Sequence, residues 1–405
     1  MTDHPRTAPV TAPPTQRKMW IGGLEGPRGI AGICVVVVHV AVVFTPPVAD
    51  DFRLDYLGQG LTFFFVLSGF LLYLPFVTRA ADGRPRPSTA TYFVSRLRRV
   101  FPAYLGIFCL VNFVLGAAYV VNPVLTGWDR VDAGTGTITD PWHLLAHLTL
   151  TQTFFPATLQ TGINPAWSLT TEWTFYLVLP VVGWLLFRSR STRRLTSAMV
   201  PAGVLILVGF VGNAVIGLLQ GGSGLSQLER NWGPNGYAVL ARSFLAFADT
   251  FAWGMVAAVV YTAITRGAVA QMSTMRLQAI FGTICVTAVA ASMVVFLMEP
   301  RWTSSAFAIG AACFILTIVT PLGRGERSPL AEVADWRPIR YLGMISLSSY
   351  LWHYPVIILV DRVGIPIPPT PFGLLWGTVV VLAVTFTLAT ITFYVIERPA
   401  MRWRA

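Results

Sequence analysis

The sequence predicts an all-α protein: a polytopic membrane helical bundle of about ten transmembrane helices, with the N- and C-termini cytoplasmic. Three observations predict it. Hydrophobic residues make up 54% of the 405-residue chain and charged residues only 12%, against roughly 25% charged in soluble domains. Apolar stretches of about 18 residues or more recur from Gly29 to Ile396. Each can cross ~30 Å of hydrocarbon as a helix that satisfies its own backbone hydrogen bonds. The basic residues, finally, divide unevenly between alternate loops.

Spans are expected near 27–48, 59–78, 100–121, 165–187, 197–218, 241–265, 277–297, 303–320, 341–360 and 372–396. With the N-terminus inside, the inside segments hold 22 of the 29 Lys and Arg residues and the outside loops six, Arg28 lying at the mouth of the first span. Asp50, Asp51, Asp55, Asp129, Asp132 and Asp140 all fall outside. The formal charge of +11 therefore reports topology and anionic lipid head groups, and nucleic acid is not expected as a partner.

Residues 1–20 are polar and Pro/Thr-rich, as in a disordered cytoplasmic tail. They carry no small-residue cleavage site after a short apolar core, so the first span is read as a retained anchor. The bundle is expected over 21–399 and a short cytoplasmic tail over 400–405. The basic, turn-rich Arg79–Thr91 suits the cytoplasmic side. Within the long external segment 122–163, Pro141–Phe155 is amphipathic and reads as an interfacial or re-entrant helix. Gly217–Tyr237 is expected outside and Pro321–Arg340 inside. No internal repeat is seen, and no soluble domain is expected after the tenth span, so any chemistry must sit in the bundle. Cys34, Cys109, Cys285 and Cys313 lie far apart within spans and suggest neither disulfides nor a metal site.

Ionisable side chains within spans are costly and mark candidate functional positions. Arg28 and His39 are eleven residues apart, so they share a helix face to within about 20°, with a rise of ~16 Å. The guanidinium can hold a phosphate at the mouth and the imidazole can take a proton from a hydroxyl near the midplane. Arg96, Arg98 and Arg99 open the third span, with Pro102 in its first turn, and several arginines near Arg28 would grip a polyphosphate. Ser68–Gly69 in FFFVLSGFLL permits close approach of a helix or ligand. Glu172, in NPAWSLTTEWTFY, must be paired or protonated if buried, and would orient a histidine or an acceptor hydroxyl. Ser346, Tyr350 and His353 share one face, and Pro355 is expected to kink the helix beside His353. Glu397–Arg398–Pro399 reads as a helix end with an interfacial ion pair, and Asp249 has no assigned role.

These elements resemble the acyltransferase-3 family of membrane acyltransferases, which act on O-antigen, macrolides and envelope glycolipids. The matching segments are LEGPRGIAGICVVVVHV, FFFVLSGFLL, RLRRVFPAYL, AWSLTTEWTFYLVLP, SLSSYLWHYP and YVIERP, in family order from Leu24 to Pro399. Gly26–Pro27 before Arg28 departs from the family pattern, and proline is acceptable at a helix start.

The resemblance implies acyl-CoA, with acetyl the expected group, as a cytoplasmic donor substrate. It implies a sugar or lipid-linked acceptor met in the membrane or at its outer face, and a functional pair in Arg28 and His39. Arg28, Arg96, Arg98, Arg99 and Ser68 are then the expected acyl-CoA-binding residues. His39, Glu172, His353 and Tyr350 are the expected catalytic residues, with no metal and no resident cofactor. A bacterial cytoplasmic membrane is the expected location. Two other classes share the composition: a secondary transporter of a small polar or anionic solute, and a non-catalytic lipid-binding scaffold. The first offers no role for the arginine cluster. The second requires His39 and Glu172 to matter only for stability.

Overall fold

A computed structural model describes residues 21–127, 130–188 and 194–402. The expected tail over 1–20 and the last three residues lie outside the described residues. Among those described, nine helices are long and apolar enough to cross a membrane, or ten if one bent pair counts as a single span. They are α1 (Glu25–Phe44), α2 (Gln59–Ala81), α3 (Thr89–Cys109), α4 (Trp167–Arg188) and α5 (Arg194–Gly221). The second half adds α6 (Phe244–Thr265), α7 (Thr274–Met298), α8 (Thr303–Gly323), α9 (Ser346–Val363) and α10 (Pro371–Thr392). The chain is a polytopic, helical membrane protein.

The centre is the crossing of α2 and α6, and small residues make it. A side chain at Gly69 would strike the carbonyl of Phe251, and one at Gly254 would strike that of Val66, so backbones touch where side chains elsewhere keep them apart. Beside this crossing the rings of Phe65 and Phe175 stack on Phe251 at 4.6 and 4.4 Å. Helices α5 and α8 pack against α6 and also touch α2. Helix α1 packs against α2, α9, α10 and a short helix, Arg337–Met344. Helix α7 leans on α8 at the periphery, with Met275 81% and Val286 69% exposed, as lipid contact permits.

One end of the bundle is covered by residues 115–127 and 130–163. This cap holds a minimal hairpin pairing Ala118–Tyr119 with Thr135–Gly136, then a helix, Pro141–Leu148, started by Asp140 accepting from the His143 amide at 2.8 Å. His147 is buried there, stacked on Phe108 at 5.2 Å and bonded to the Thr161 hydroxyl at 2.9 Å. Gln160 follows at φ 65, a left-handed conformation that costs a non-glycine residue about 1–2 kcal/mol.

Four expectations need correction. Helix α3 begins at Thr89, not near residue 100, because Ser88 caps it by accepting from the Thr91 amide at 3.3 Å. Arg96, Arg98 and Arg99 therefore lie about two turns inside the helix, and Pro102 lies mid-helix. The same helix closes in a π turn at Leu110–Val114 and stops before Gly116, at φ 55, rather than running to residue 121. The sharp break in the ninth span, 72°, falls between Met344 and Ser346; α9 runs through Pro355 as one helix. Finally, α5 continues to Gly221, so the start of the expected external stretch is helical.

Candidate active site

Two cavities meet inside the bundle. The smaller, about 90 Å3, is lined by Arg28 of α1, Ser68 of α2, Arg96 and Arg99 of α3, and Glu172 and Tyr176 of α4. Ser346 and Tyr350 of α9 close it. The cap at Ser88 brings the arginines here: by extending α3 beyond its apolar core, it turns a basic flank into a helix face directed at α1 and α4. Glu172 accepts from the Ser68 hydroxyl at 2.6 Å and the Tyr176 hydroxyl at 2.7 Å. Arg28 also lies 3.6 Å from Glu25, one turn earlier. The Ser346 hydroxyl is buried without a hydrogen-bond partner. A pocket holding three guanidinium groups and one carboxylate suits a polyanion. Arg98 is partly buried and partnered, and does not line this cavity.

The larger cavity, about 670 Å3, lies towards the capped end and includes His39 in its wall. Tyr350 and Leu61 line both cavities and so form the partition between them. The Tyr350 hydroxyl donates to the carbonyl of Pro165 at 2.8 Å and accepts from Ser168 at 2.6 Å, which holds the ring across the passage. The eleven-residue spacing of Arg28 and His39 thus spans the partition, placing one residue in each cavity.

His39 is paired with His353. The Nδ1 of His353 lies 2.6 Å from the Tyr350 carbonyl and the Nδ1 of His39 lies 2.7 Å from that of Val35. A carbonyl only accepts, so both Nδ1 atoms carry hydrogen. The Nε2 of His353 is then an acceptor, 3.2 Å from the Nδ1–H of His39. The Nε2 of His39 is left with its lone pair. Tyr354 packs edge-on against His39 with centroids 5.3 Å apart.

The histidine that faces His39 is thus the group that orients it. Glu172, expected to orient His39 or an acceptor, contacts Ser68 and Tyr176 instead. Asp249 is buried beside Gly209 and lines neither cavity. Glu397 forms no ion pair with Arg398: it is buried and takes the Ser348 hydroxyl, while Arg398 lies over the Tyr394 ring. Among the described residues, no three His, Cys, Asp or Glu side chains come together as metal ligands, and the four cysteines are unpaired.

Several lining residues were not singled out from sequence. Tyr176 stands one turn from Glu172, a spacing that could have revealed it. Arg230, Arg242 and Arg301, in the larger cavity, belong to the six cations on the sparsely basic side of the expected topology, and that exception was their signal. Gln160 carried no sequence signal.

Residues 21–394 match the model of a family described as an acyltransferase domain. A Bacillus subtilis protein provisionally named peptidoglycan O-acetyltransferase YrhL is 28% identical over 95% of this chain and 55% of its own length. Peptidoglycan O-acetyltransferase OatA of Listeria monocytogenes is 23% identical over 94% of this chain and 56% of its own. Acyltransferase MdmB of Streptomyces mycarofaciens is 26% identical over 95% of this chain and 93% of its own. The chain thus spans about half the length of the first two relatives and nearly all of the third. No solved structure matches it. A match over nearly the whole helical bundle, both cavities included, places this chain in that family of acyltransferase domains.

Proposed function

We propose that the protein is a membrane-embedded O-acyltransferase. It moves an acyl group, acetyl being the expected one, from acyl-CoA to a hydroxyl of a sugar-containing acceptor. The observation that carries this reading is the partitioned pair of cavities, with three guanidinium groups gathered around Glu172 on one side and a base with a free lone pair on the other. The names of the relatives, two of which specify peptidoglycan, support a saccharide acceptor.

Acyl-CoA enters at the arginine end, which faces the cytoplasm, a reading that the excess of basic residues in alternate loops supports. Arg28, Arg96 and Arg99 hold its phosphates, with Arg98 on the same helix. The pantetheine arm runs along α1 past Ser68 and Tyr350, and the ~16 Å rise from Arg28 to His39 matches its reach. The acceptor hydroxyl comes from the larger cavity and gives its proton to the Nε2 of His39 as its oxygen attacks the thioester carbonyl. The positive charge on His39 is shared through its Nδ1–H with the Val35 carbonyl and the Nε2 of His353. The carbon–sulfur bond breaks, the ester leaves towards the larger cavity, and the CoA thiolate recovers a proton from His39. Glu172 balances the arginines of the donor cavity and fixes Ser68 and Tyr176.

The test is purified, detergent-solubilised protein incubated with radiolabelled acetyl-CoA and a glycan-containing envelope extract. Label should pass to the extract with wild type, be lost with His39→Ala, and need more acetyl-CoA with Arg28→Ala. No transfer from acetyl-CoA or longer acyl-CoAs by folded wild-type protein would sink the proposal.

A further inference from the structure

The larger cavity is furnished differently from a pocket that only admits a hydroxyl. Arg242, at the entry to α6, lies in its wall. Its guanidinium sits over the face of Trp232, 3.2 Å from the ring centroid, and 5.0 Å from that of Trp167. Its Nε donates to the carbonyl of Asn231 at 3.1 Å. Among the described residues its Nη groups meet no acceptor and no carboxylate comes within ion-pair range. An arginine fixed through one face and one nitrogen keeps its other edge free, the edge that makes paired hydrogen bonds to a planar oxyanion. Indole stacking spares it the entropy of a free side chain.

A second observation in the same cavity points the same way. Gln160 is 3% exposed and its Nε2 has no hydrogen-bond partner, yet the residue is held at φ 65. A buried amide without a partner is costly, and Gln160 is one of the residues lining this cavity, where an oxygen of an occupant can meet that need. Arg301 adds a third donor group, and the cavity's three arginines outnumber its two carboxylates, Asp55 and Glu299.

We propose that this cavity grips its occupant by an oxyanion, a carboxylate or a phosphate, bound edge-on by Arg242, with Gln160 donating to a neighbouring oxygen of the same molecule. This deepens the reading above, on which it rests for the identity of the cavity as the acceptor side: the acceptor is an acidic or phosphorylated saccharide. A neutral sugar of the same size leaves Arg242 desolvated and unpaired, which is the source of discrimination.

Equilibrium binding to the purified full chain tests this without acyl-CoA and without turnover. The probes are glucose, glucuronic acid and glucose 6-phosphate, titrated into wild type, Arg242→Gln and Gln160→Ala. Wild type should bind at least one of the two anionic sugars about tenfold or more tightly than glucose. Whichever of the two binds better identifies the oxyanion as carboxylate or phosphate. Arg242→Gln should erase the preference, and Gln160→Ala should weaken both acids while keeping it. Equal binding of all three sugars to wild type, no saturable binding of either acid, or a preference that survives Arg242→Gln overturns the proposal. The wild-type comparison decides the matter even if Arg242→Gln does not fold. A charge preference without acyl transfer would instead remove the acyltransferase reading and leave the anion site standing.

Discussion

The two cavities are built from the same residue types by opposite means. In the smaller one, arginine comes from consecutive turns of one helix and from the start of another, and a carboxylate shared by two hydroxyls sits among the guanidinium groups. In the larger one, the arginines come from short helices and loop joints, and Arg242 is held by indoles rather than by an acid. The first arrangement spreads positive charge along a groove and suits a flexible polyphosphate. The second fixes one planar donor and suits a single oxyanion. Between them stands Tyr350, which lines both, with His39 on the acceptor side and His353 buried behind it.

The comparison breaks most directly at His39. His39→Ala should lower turnover by about 10²–10⁴-fold while leaving the apparent affinity for acyl-CoA unchanged. Steady-state kinetics against acyl-CoA check this, and a change confined to KM would move the base elsewhere. The reverse pattern is expected at the other cavity: Arg99→Ala should raise KM for acyl-CoA about 10–100-fold with a smaller change in kcat, and the loss should be masked at high salt. A weaker effect is expected from Tyr176→Phe, which takes one of two donors from Glu172 and should cost about 1 kcal/mol, read as a modest rise in KM for acyl-CoA. If Tyr176→Phe instead matched His39→Ala, Glu172 would belong to the chemistry and not to the donor cavity.

The ends of the molecule should also differ in their response to acid. Burial holds the His147 imidazole down to about 3, against an ordinary value near 6.5. Above about pH 6.5 neither folded nor unfolded chain binds the proton, and the stability of the cap is fully present. As pH falls from there towards about 3, only the unfolded state takes it up, and the cap weakens. Hydrogen exchange over residues 118–163 should show this loosening, and His147→Phe should flatten the pH response. At the arginine end, hydrogen bonds from Arg266 and then Arg84 hold the Asp82 carboxyl below its usual range. Its contribution is present above pH ~4, lost as pH falls through the lowered value, and small because the pair is solvent-exposed. Asp82→Asn should therefore shift the melting midpoint only slightly at neutral pH, and not at all in strong acid.

Much of the fold was legible because lipid imposes a simple rule: a spanning helix must be long, apolar and internally hydrogen-bonded. Nine of the expected spans appear as single helices and the tenth as a bent pair, while the boundaries that moved did so for reasons hydropathy does not see. Ser88 started α3 early by a side-chain cap, and Gly116 stopped the chain beyond it by adopting a positive φ. The break near residue 345 was expected at Pro355, but a proline inside an apolar span can be absorbed by its neighbours.

For the site, the sequence by itself determined which side chains are expensive to bury: Arg28, His39, Glu172, Tyr350 and His353 stand out against an apolar background, and Arg28 with His39, like Tyr350 with His353, share one helix face. Only the tertiary structure decided how they divide. That His39 meets His353 across 314 residues, that Glu172 answers to Ser68 and Tyr176, and that Tyr350 parts one cavity from the other depend on how α1, α2, α4 and α9 pack. Gln160, Trp232 and Arg242 lie in loops and short helices, where no periodicity ties position to direction. The physical reason is range: burial cost and helical phase are local properties that the chain carries in its order, whereas hydrogen-bond partners are set by contacts between segments far apart in that order.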